Sequence, residues 1–302
     1  MSASSKIPAL VSGAAAFHEQ GITGKEVTIA IMDSGLAPHK EIDSGRILTF
    51  EDFVYDRRIL YDDYSHGTHV TGIAAAEKIG IAPESNLVIL KVLDNKGNSE
   101  TDLLIDAVKW VLKHYPVYNI RIVNISIGGN SKELRNENNR LNVWIRRLWE
   151  HGIIVCCSAG NNGPKEGSIS APGNCPEVIT VGSYDGGHFS SAGPLRPYIT
   201  KPELVAPGYH ILSLKPGDSY TVKSGTSMSV PFISGYCALL LQTRPNFSNY
   251  QVKQHLMDSA YNVPYLPYNM QGAGIVNLNR LLTPLKSHQE TLRSQAPYYN
   301  IP

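Results

Sequence analysis

From Val27 onward, short runs of β-branched and apolar residues alternate with stretches of helical length whose apolar residues recur three and four apart. No other feature constrains the fold as tightly. Runs of about four to eight such residues read as strands buried on both faces, and a helix between successive strands supplies the crossover that parallel pairing requires. Strands are predicted at Val27–Met32, Leu87–Val92, Ile122–Ser126, Ile153–Ser158 and Val178–Gly182. Helices are predicted at Thr101–Tyr115, where Leu104, Val108, Trp110, Val111 and Leu112 recur at helical spacing, and at Glu133–His151, which Gly152 closes. Thr101 and Asp102 are good capping and first-turn residues for the first of these. After Gly182 the texture changes to Gly- and Pro-punctuated short strands, then a long apolar helix at Ser227–Gln242 and a smaller one near Asn249–Ala260. The expected architecture is α/β, a mostly parallel central sheet flanked by helices, in one domain over residues 1–282. Residues 283–302 are polar and aperiodic and are expected to form a flexible tail.

Charge narrows the function classes. The 302 residues carry 27 Lys+Arg against 26 Asp+Glu, a net +1, without the electrostatic footprint of a nucleic-acid binder or a polybasic membrane-surface protein. The longest apolar runs are strand-sized, short of the ~18–20 residues that span a bilayer. Neither nucleic acid nor membrane is an expected partner. Cys156, Cys157, Cys175 and Cys237 follow no ligand spacing, which favours buried free thiols in a reducing compartment over a disulfide framework or a metal site. Met1–Pro8 lacks a basic segment followed by an apolar one. A cytoplasmic location is therefore expected, a processed secreted form being the alternative.

Three motifs carry chemistry. In Ile29-Ala30-Ile31-Met32-Asp33-Ser34-Gly35 an apolar strand ends in a carboxylate and a turn, which places Asp33 at the carboxyl edge of the sheet, where open α/β sheets bind ligands. Alone, such an Asp is more often a cap or turn former. His66-Gly67-Thr68-His69 follows Ser65, which can cap a helix whose first turn presents the His66 imidazole as a general base. A metal pair of His66 and His69 is the competing reading, but the Glu expected in metalloprotease helices is missing; for an isolated histidine the structural role prevails. In Ser224-Gly225-Thr226-Ser227-Met228 glycine permits close approach before Ser227, and Pro231 is tolerated in the first turns of a helix. Ser227 is then either a plain N-cap or a nucleophile at a helix N-terminus that favours developing negative charge.

Taken together, an Asp, a His and a Ser in this chain order, each in a sharp glycine-containing motif, closely resemble the three signatures of the subtilisin-like serine proteases, the subtilases. The resemblance runs from about Val11 to Leu282. It implies the three-layer subtilisin-like fold and a catalytic triad in which Ser227 attacks, His66 transfers the proton and Asp33 orients the imidazole. His69 then matches the family's second histidine, which is not the base. Ser158-Ala159-Gly160-Asn161-Asn162-Gly163 resembles the oxyanion segment, with Asn161 as side-chain donor beside the Ser227 N–H and Ala159 and Gly160 against the substrate. Asn124–Gly129 resembles the segment that pairs with the substrate backbone through Ser126, Ile127 and Gly128, and Gly97, Asn98 and Ser99 resemble the opposite wall. Aligning Ala171-Pro172-Gly173 with the family loop puts Ser170 near the floor of the pocket for the residue before the cut, implies a preference for a large apolar side chain there, and makes Ala171–Pro172 a cis peptide.

Departures from the pattern also carry expectations. Only Glu77–Ala82 intervene where relatives carry a longer calcium loop, so the shared strong calcium site is expected to be missing and Glu41 to be a solvated surface charge; calcium at another structural site stays open. No cofactor is required. Thr101 stands where many relatives have an aromatic at the distal pocket, and Phe232 replaces the usual His after the motif proline. About 25 residues precede the first strand, so the chain is read as a processed form or as a member that folds without a propeptide. The leading expectation is an intracellular serine endopeptidase acting on extended or unfolded polypeptides in protein turnover. A dedicated maturation or leader peptidase is the alternative within enzymes, and a non-catalytic peptide-binding pseudoprotease the alternative outside them.

Overall fold

The computed structural model describes residues 5–128, 136, 138–185, 189–194 and 199–283. Its strands are β1 (Thr28–Asp33), β2 (Ile47–Asp52), β3 (Asn86–Lys91), β4 (Ile120–Ile125), β5 (Ile154–Ser158), β6 (Ile179–Ser183), β7 (Leu204–Ala206), β8 (Ile211–Lys215), β9 (Ser219–Lys223), β10 (Ala260–Tyr261) and β11 (Ile275–Val276). Nine of them form one sheet in the order β10-β11-β7-β6-β5-β4-β1-β3-β2, and β8 and β9 form a separate antiparallel hairpin. Every pairing within the large sheet is parallel except β10 with β11. From β1 the chain builds outward to β3 and β2 on one side and to β4, β5, β6 and β7 on the other. The end of β1 is thus a topological switch point, where diverging connections leave a crevice.

The helices are α1 (Pro8–Val11), α2 (Ala15–His18), α3 (His66–Ala75), α4 (Thr101–Tyr118), α5 (Arg140–Glu150), α6 (Thr226–Thr243), α7 (Asn249–Asp258), α8 (Tyr268–Gln271) and α9 (Leu278–Leu282). All six residues of β1 are buried, and its alternation divides the core. Ile29 and Ile31 pack with α3 and α6 through Val70, Ile73, Val230 and Ile233. Ala30 and Met32 pack with α4 and α5 through Val108, Val111, Ile145 and Leu148. The result is a three-layer α/β fold with two apolar cores separated by the sheet.

The expected strands form within one or two residues of their expected bounds, but three local expectations are corrected. α4 continues past Tyr115, carries Pro116 in its last turn and ends at Asn119 in the left-handed region (φ 48°); it starts at Thr101 with Asp102 in its first turn as expected, but its N-cap is Glu100, without a side-chain cap bond. Of the Glu133–His151 helix, α5 begins at Arg140 behind an Asn139 cap, and residues 133–135 and 137 lie outside the described residues. Strand β2 has no counterpart among the expected strands: only Phe50 and Ile47 pack on the core and all of its residues are at least partly exposed, so no continuous apolar run marks it. Gly129 and residues 284–302, most of the expected tail, also lie outside the described residues.

Candidate active site

Asp33 ends β1 at the switch point and is 1% exposed. Its Oδ1 accepts the Ser34 N–H at 2.7 Å and lies 2.7 Å from His66 Nδ1. A carboxylate facing Nδ1 assigns the ring proton to that nitrogen and leaves the Nε2 lone pair for an incoming proton. Burial draws the His66 pKa down, but the Asp33 charge and hydrogen bond more than offset it; Lys223 opposes and Asp62 adds, leaving the imidazole above its ordinary 6.5.

The expected Ser65 cap is corrected by the structure. Ser65 sits in the left-handed region (φ 66°) and makes no side-chain cap bond. Asp62 does that work: its Oδ2 accepts Thr68 N–H at 2.8 Å and the Thr68 hydroxyl at 2.6 Å, and its Oδ1 accepts the Ser34 hydroxyl and the Tyr64 and Ser65 N–H groups. A single buried carboxylate therefore fixes the start of α3, the loop before it and the turn after Asp33 in one frame. His69 is fully buried, its Nε2 at 3.1 Å from the Ile211 carbonyl, and burial followed by the charges of Lys223 and His66 lowers its pKa to about 3. It is a neutral core histidine, and among the described residues no group of three or more His, Cys, Asp or Glu converges as a metal site.

Ser227 is the second residue of α6, whose N-cap is Gly225, so it is not itself the cap. Its N–H is among those a helix start leaves without an intrahelical partner. Its hydroxyl donates to the Ser126 carbonyl at 3.0 Å, and the Ser126 hydroxyl donates back to the Ser227 carbonyl at 3.0 Å. This reciprocal pair ties the end of β4 to α6. Asn161 Oδ1 accepts both the Thr226 N–H (2.9 Å) and the Thr226 hydroxyl (3.0 Å). With the oxygen committed, the donor end of the amide is the one available to a ligand. Close approach is what Gly225 (φ 146°) permits, since a Cβ there would stand 3.2 Å from Asn161 Nδ2.

His66, Ser227 and Asn161 line one open cleft of about 300 Å³ together with Ser126, Ile127, Gly128, Gly160 and Ser170. Ser170 is 4% exposed and faces Gly128, where an added Cβ would lie 3.9 Å from the Ser170 hydroxyl. The Ala171–Pro172 peptide is cis. Thr180 donates to the Gly173 carbonyl at 2.6 Å and accepts from the buried Lys201 at 2.9 Å, and Lys201 pairs with Glu203 at 2.8 Å, so buried charges brace the loop that carries Ser170. Other expected contacts fall outside the cleft lining. Ala159 is buried and donates its N–H to the Val181 carbonyl, while the Asn98 N–H turns inward to Asp94 Oδ1 and the Ser99 hydroxyl bonds the Glu100 carbonyl. Gly97 and Tyr64 line that side instead. Thr226, Asp62, Tyr64 and Lys223, which lies 3.2 Å from the Ser65 hydroxyl, have no sequence signal beyond their nearness to the motifs.

Glu41 is also corrected. It is 1% exposed and no solvated surface charge: it accepts a hydrogen bond from the Tyr220 hydroxyl and a 3.3 Å bond from the Lys78 N–H. The hydrogen bond to Glu41, then burial, raises the Tyr220 pKa to about 12.

A buried carboxylate on an imidazole, with a serine at a helix N-terminus in the same cleft of a parallel α/β sheet, defines the class of subtilisin-like serine endopeptidases. The sequence pattern of the subtilase family matches residues 24–277, and the chain belongs to that family. It is similar to serine protease AprX of Bacillus subtilis (strain 168), 35% identical over 85% of this chain, which spans 66% of that protein's length. It is also similar to a subtilisin of Bacillus pumilus, 33% identical over 88% of this chain and 94% of that one. Among solved structures, a cold adapted subtilisin-like serine proteinase superposes with a TM-score of 0.70 at 28% identity, over 84% of this chain and 88% of that one.

Proposed function

We propose that this chain hydrolyses peptide bonds in extended or unfolded polypeptides through Asp33, His66 and Ser227, with an acyl-enzyme intermediate, in intracellular protein turnover. The single observation that carries the reading is the 2.7 Å Asp33–His66 pair opening onto the cleft that Ser227 also lines. In the first step the Ser227 hydroxyl loses its proton to His66 Nε2 as its oxygen bonds the carbonyl carbon. Asp33 holds the Nδ1 proton and stabilises the imidazolium. Asn161 Nδ2 and the Ser227 N–H receive the negative charge that forms on the carbonyl oxygen. Collapse breaks the C–N bond, His66 returns the proton to the leaving amine, and water then hydrolyses the ester by the same path in reverse. No cofactor or metal enters these steps. A main-chain segment at Ser126–Gly128 supports recognition of extended substrate by backbone pairing. The intracellular assignment is supported by Cys156, Cys157, Cys175 and Cys237, all buried and free.

Digestion of casein by the purified chain and by its Ser227→Ala form, with and without a serine-directed covalent inhibitor, tests the reading. Many inhibitor-sensitive cuts that vanish in the variant support it. A single cut confined to one precursor would favour a maturation peptidase, and neither cleavage nor labelling of Ser227 would favour a binding protein.

A further inference from the structure

The last residue of β3 is a lysine that takes no part in the proton transfers. Lys91 pairs in register with Asp33 on β1 and is fully buried. An ammonium out of water is costly unless each of its donors is answered, and here all three are: they reach the Ser34 carbonyl at 2.8 Å, the Leu93 carbonyl at 2.8 Å and Asp63 Oδ1 at 2.6 Å. The rings of Tyr55 and Tyr61 stand 5.7 and 5.0 Å from it. Packing alone would be served by an apolar residue, since buried ion pairs commonly give way to hydrophobic ones without loss of stability. What an apolar side chain cannot do is hold three oxygen atoms in place.

Those oxygens belong to the segments that build the Asp33–His66 pair. Ser34 donates its N–H to Asp33 Oδ1 at 2.7 Å, accepts the Gly67 N–H of the first turn of α3 on its hydroxyl at 2.8 Å, and donates that hydroxyl to Asp62 Oδ1 at 2.8 Å. Its carbonyl is left for Lys91, so every polar group of Ser34 is committed. Asp33 Oδ2 has no hydrogen-bond partner among the described residues, and the Ser34 N–H and His66 are what aim the carboxylate. Leu93 closes the other side, its N–H and that of Val92 both donating to the Asp33 carbonyl at 3.2 and 2.8 Å. Asp63 lies in the loop that leads into His66, and its side chain is 28% exposed.

We propose that Lys91, with Asp63 as its counterion, is a positioning residue for the Asp33–His66 pair, acting through the Ser34 carbonyl and not on the substrate. It rests on the endopeptidase reading for what that pair does.

Hydrolysis of a blocked peptide p-nitroanilide by Lys91→Met, Asp63→Ala and the double variant tests this, together with the low-field proton NMR signal of His66 Nδ1–H. Lys91→Met lowers kcat about tenfold to hundredfold with KM within about twofold of wild type, the range that slight misplacement of reacting groups costs, and its low-field signal shifts or broadens. Asp63→Ala loses less, and the double variant loses no more than Lys91→Met, because the two side chains act as one pair. An unchanged kcat in folded Lys91→Met or in Asp63→Ala, a loss carried by KM, or losses that multiply in the double variant overturns the proposal. Should Lys91→Met not fold, kcat and the low-field signal of Asp63→Ala decide alone. Cleavage by the wild type with kcat intact in the variants sinks the proposal and keeps the endopeptidase reading. A wild type that neither cleaves nor labels at Ser227 sinks that reading, and the low-field signal then decides the proposal: altered in Asp63→Ala it stands, unaltered it falls.

Discussion

A single imidazole sets the pH range in which this site can work. In the proposed mechanism only neutral His66 takes the Ser227 proton, and Asp33 holds the His66 pKa above 6.5 against burial, so kcat/KM is expected to fall as pH drops through a value above 6.5. Lys223, on β9, and Asp33 and Asp62, on β1 and the α3 loop, are the charged groups that face it, and of these three Lys223 alone pulls the pKa down. Replacing it as Lys223→Met therefore moves the acid limb of the kcat/KM profile to higher pH, and Lys223→Arg leaves it in place; steady-state rates from pH 5 to 9 check both. Asn161 is the second residue on which the proposed mechanism makes the rate depend. With its Oδ1 held by Thr226, Asn161→Ala removes one oxyanion donor, and kcat is expected to fall about 10²–10³-fold with little change in KM, the magnitude such a removal costs in subtilisin.

Among the elements, α3 depends on a residue outside it. Asp62 takes five hydrogen bonds from Ser34, Tyr64, Ser65 and Thr68, so Asp62→Ala strands several buried donors at once. A loss of about 2–4 kcal/mol follows from a missing helix cap together with unsatisfied donors, and urea unfolding reads it. Because the same carboxylate positions His66, the surviving folded fraction also labels Ser227 more slowly with a serine-directed inhibitor. The motif around His66 is legible in the sequence; its true cap is not. Ser65 has the residue type of a cap, but its positive φ turns it away, and Asp62 reaches Thr68 through a loop whose path local propensity does not encode. Strand β2 is hidden for a related reason. It is an edge strand with polar residues on both faces, and its place comes from pairing with β3.

Across the whole molecule, two apolar cores on either side of one sheet bury all four cysteines. Burial raises the Cys157 and Cys237 thiols well above 9 and Cys175 to about 12, and buried thiols of this kind are inert. The folded chain is expected to show no fast-reacting thiol toward a disulfide reagent, with all four reacting at the rate of unfolding; a thiol that reacts before the loss of far-UV circular dichroism would contradict this. Residue order alone was enough for the α/β alternation, which depends on apolar periodicity, and it singled out Asp33, His66, Ser227 and Asn161 as candidates because their short motifs, weak one by one, together resemble the signatures of one family. That Asp62 caps α3, that Tyr220 satisfies Glu41, that Thr226 turns Asn161 and that Lys91 ties Ser34 to Asp63 became readable only in three dimensions. Each of these joins segments distant along the chain or separated by a turn, and their geometry exists only after strands β1, β3 and β4 pair and α3 and α6 pack on one face of the sheet.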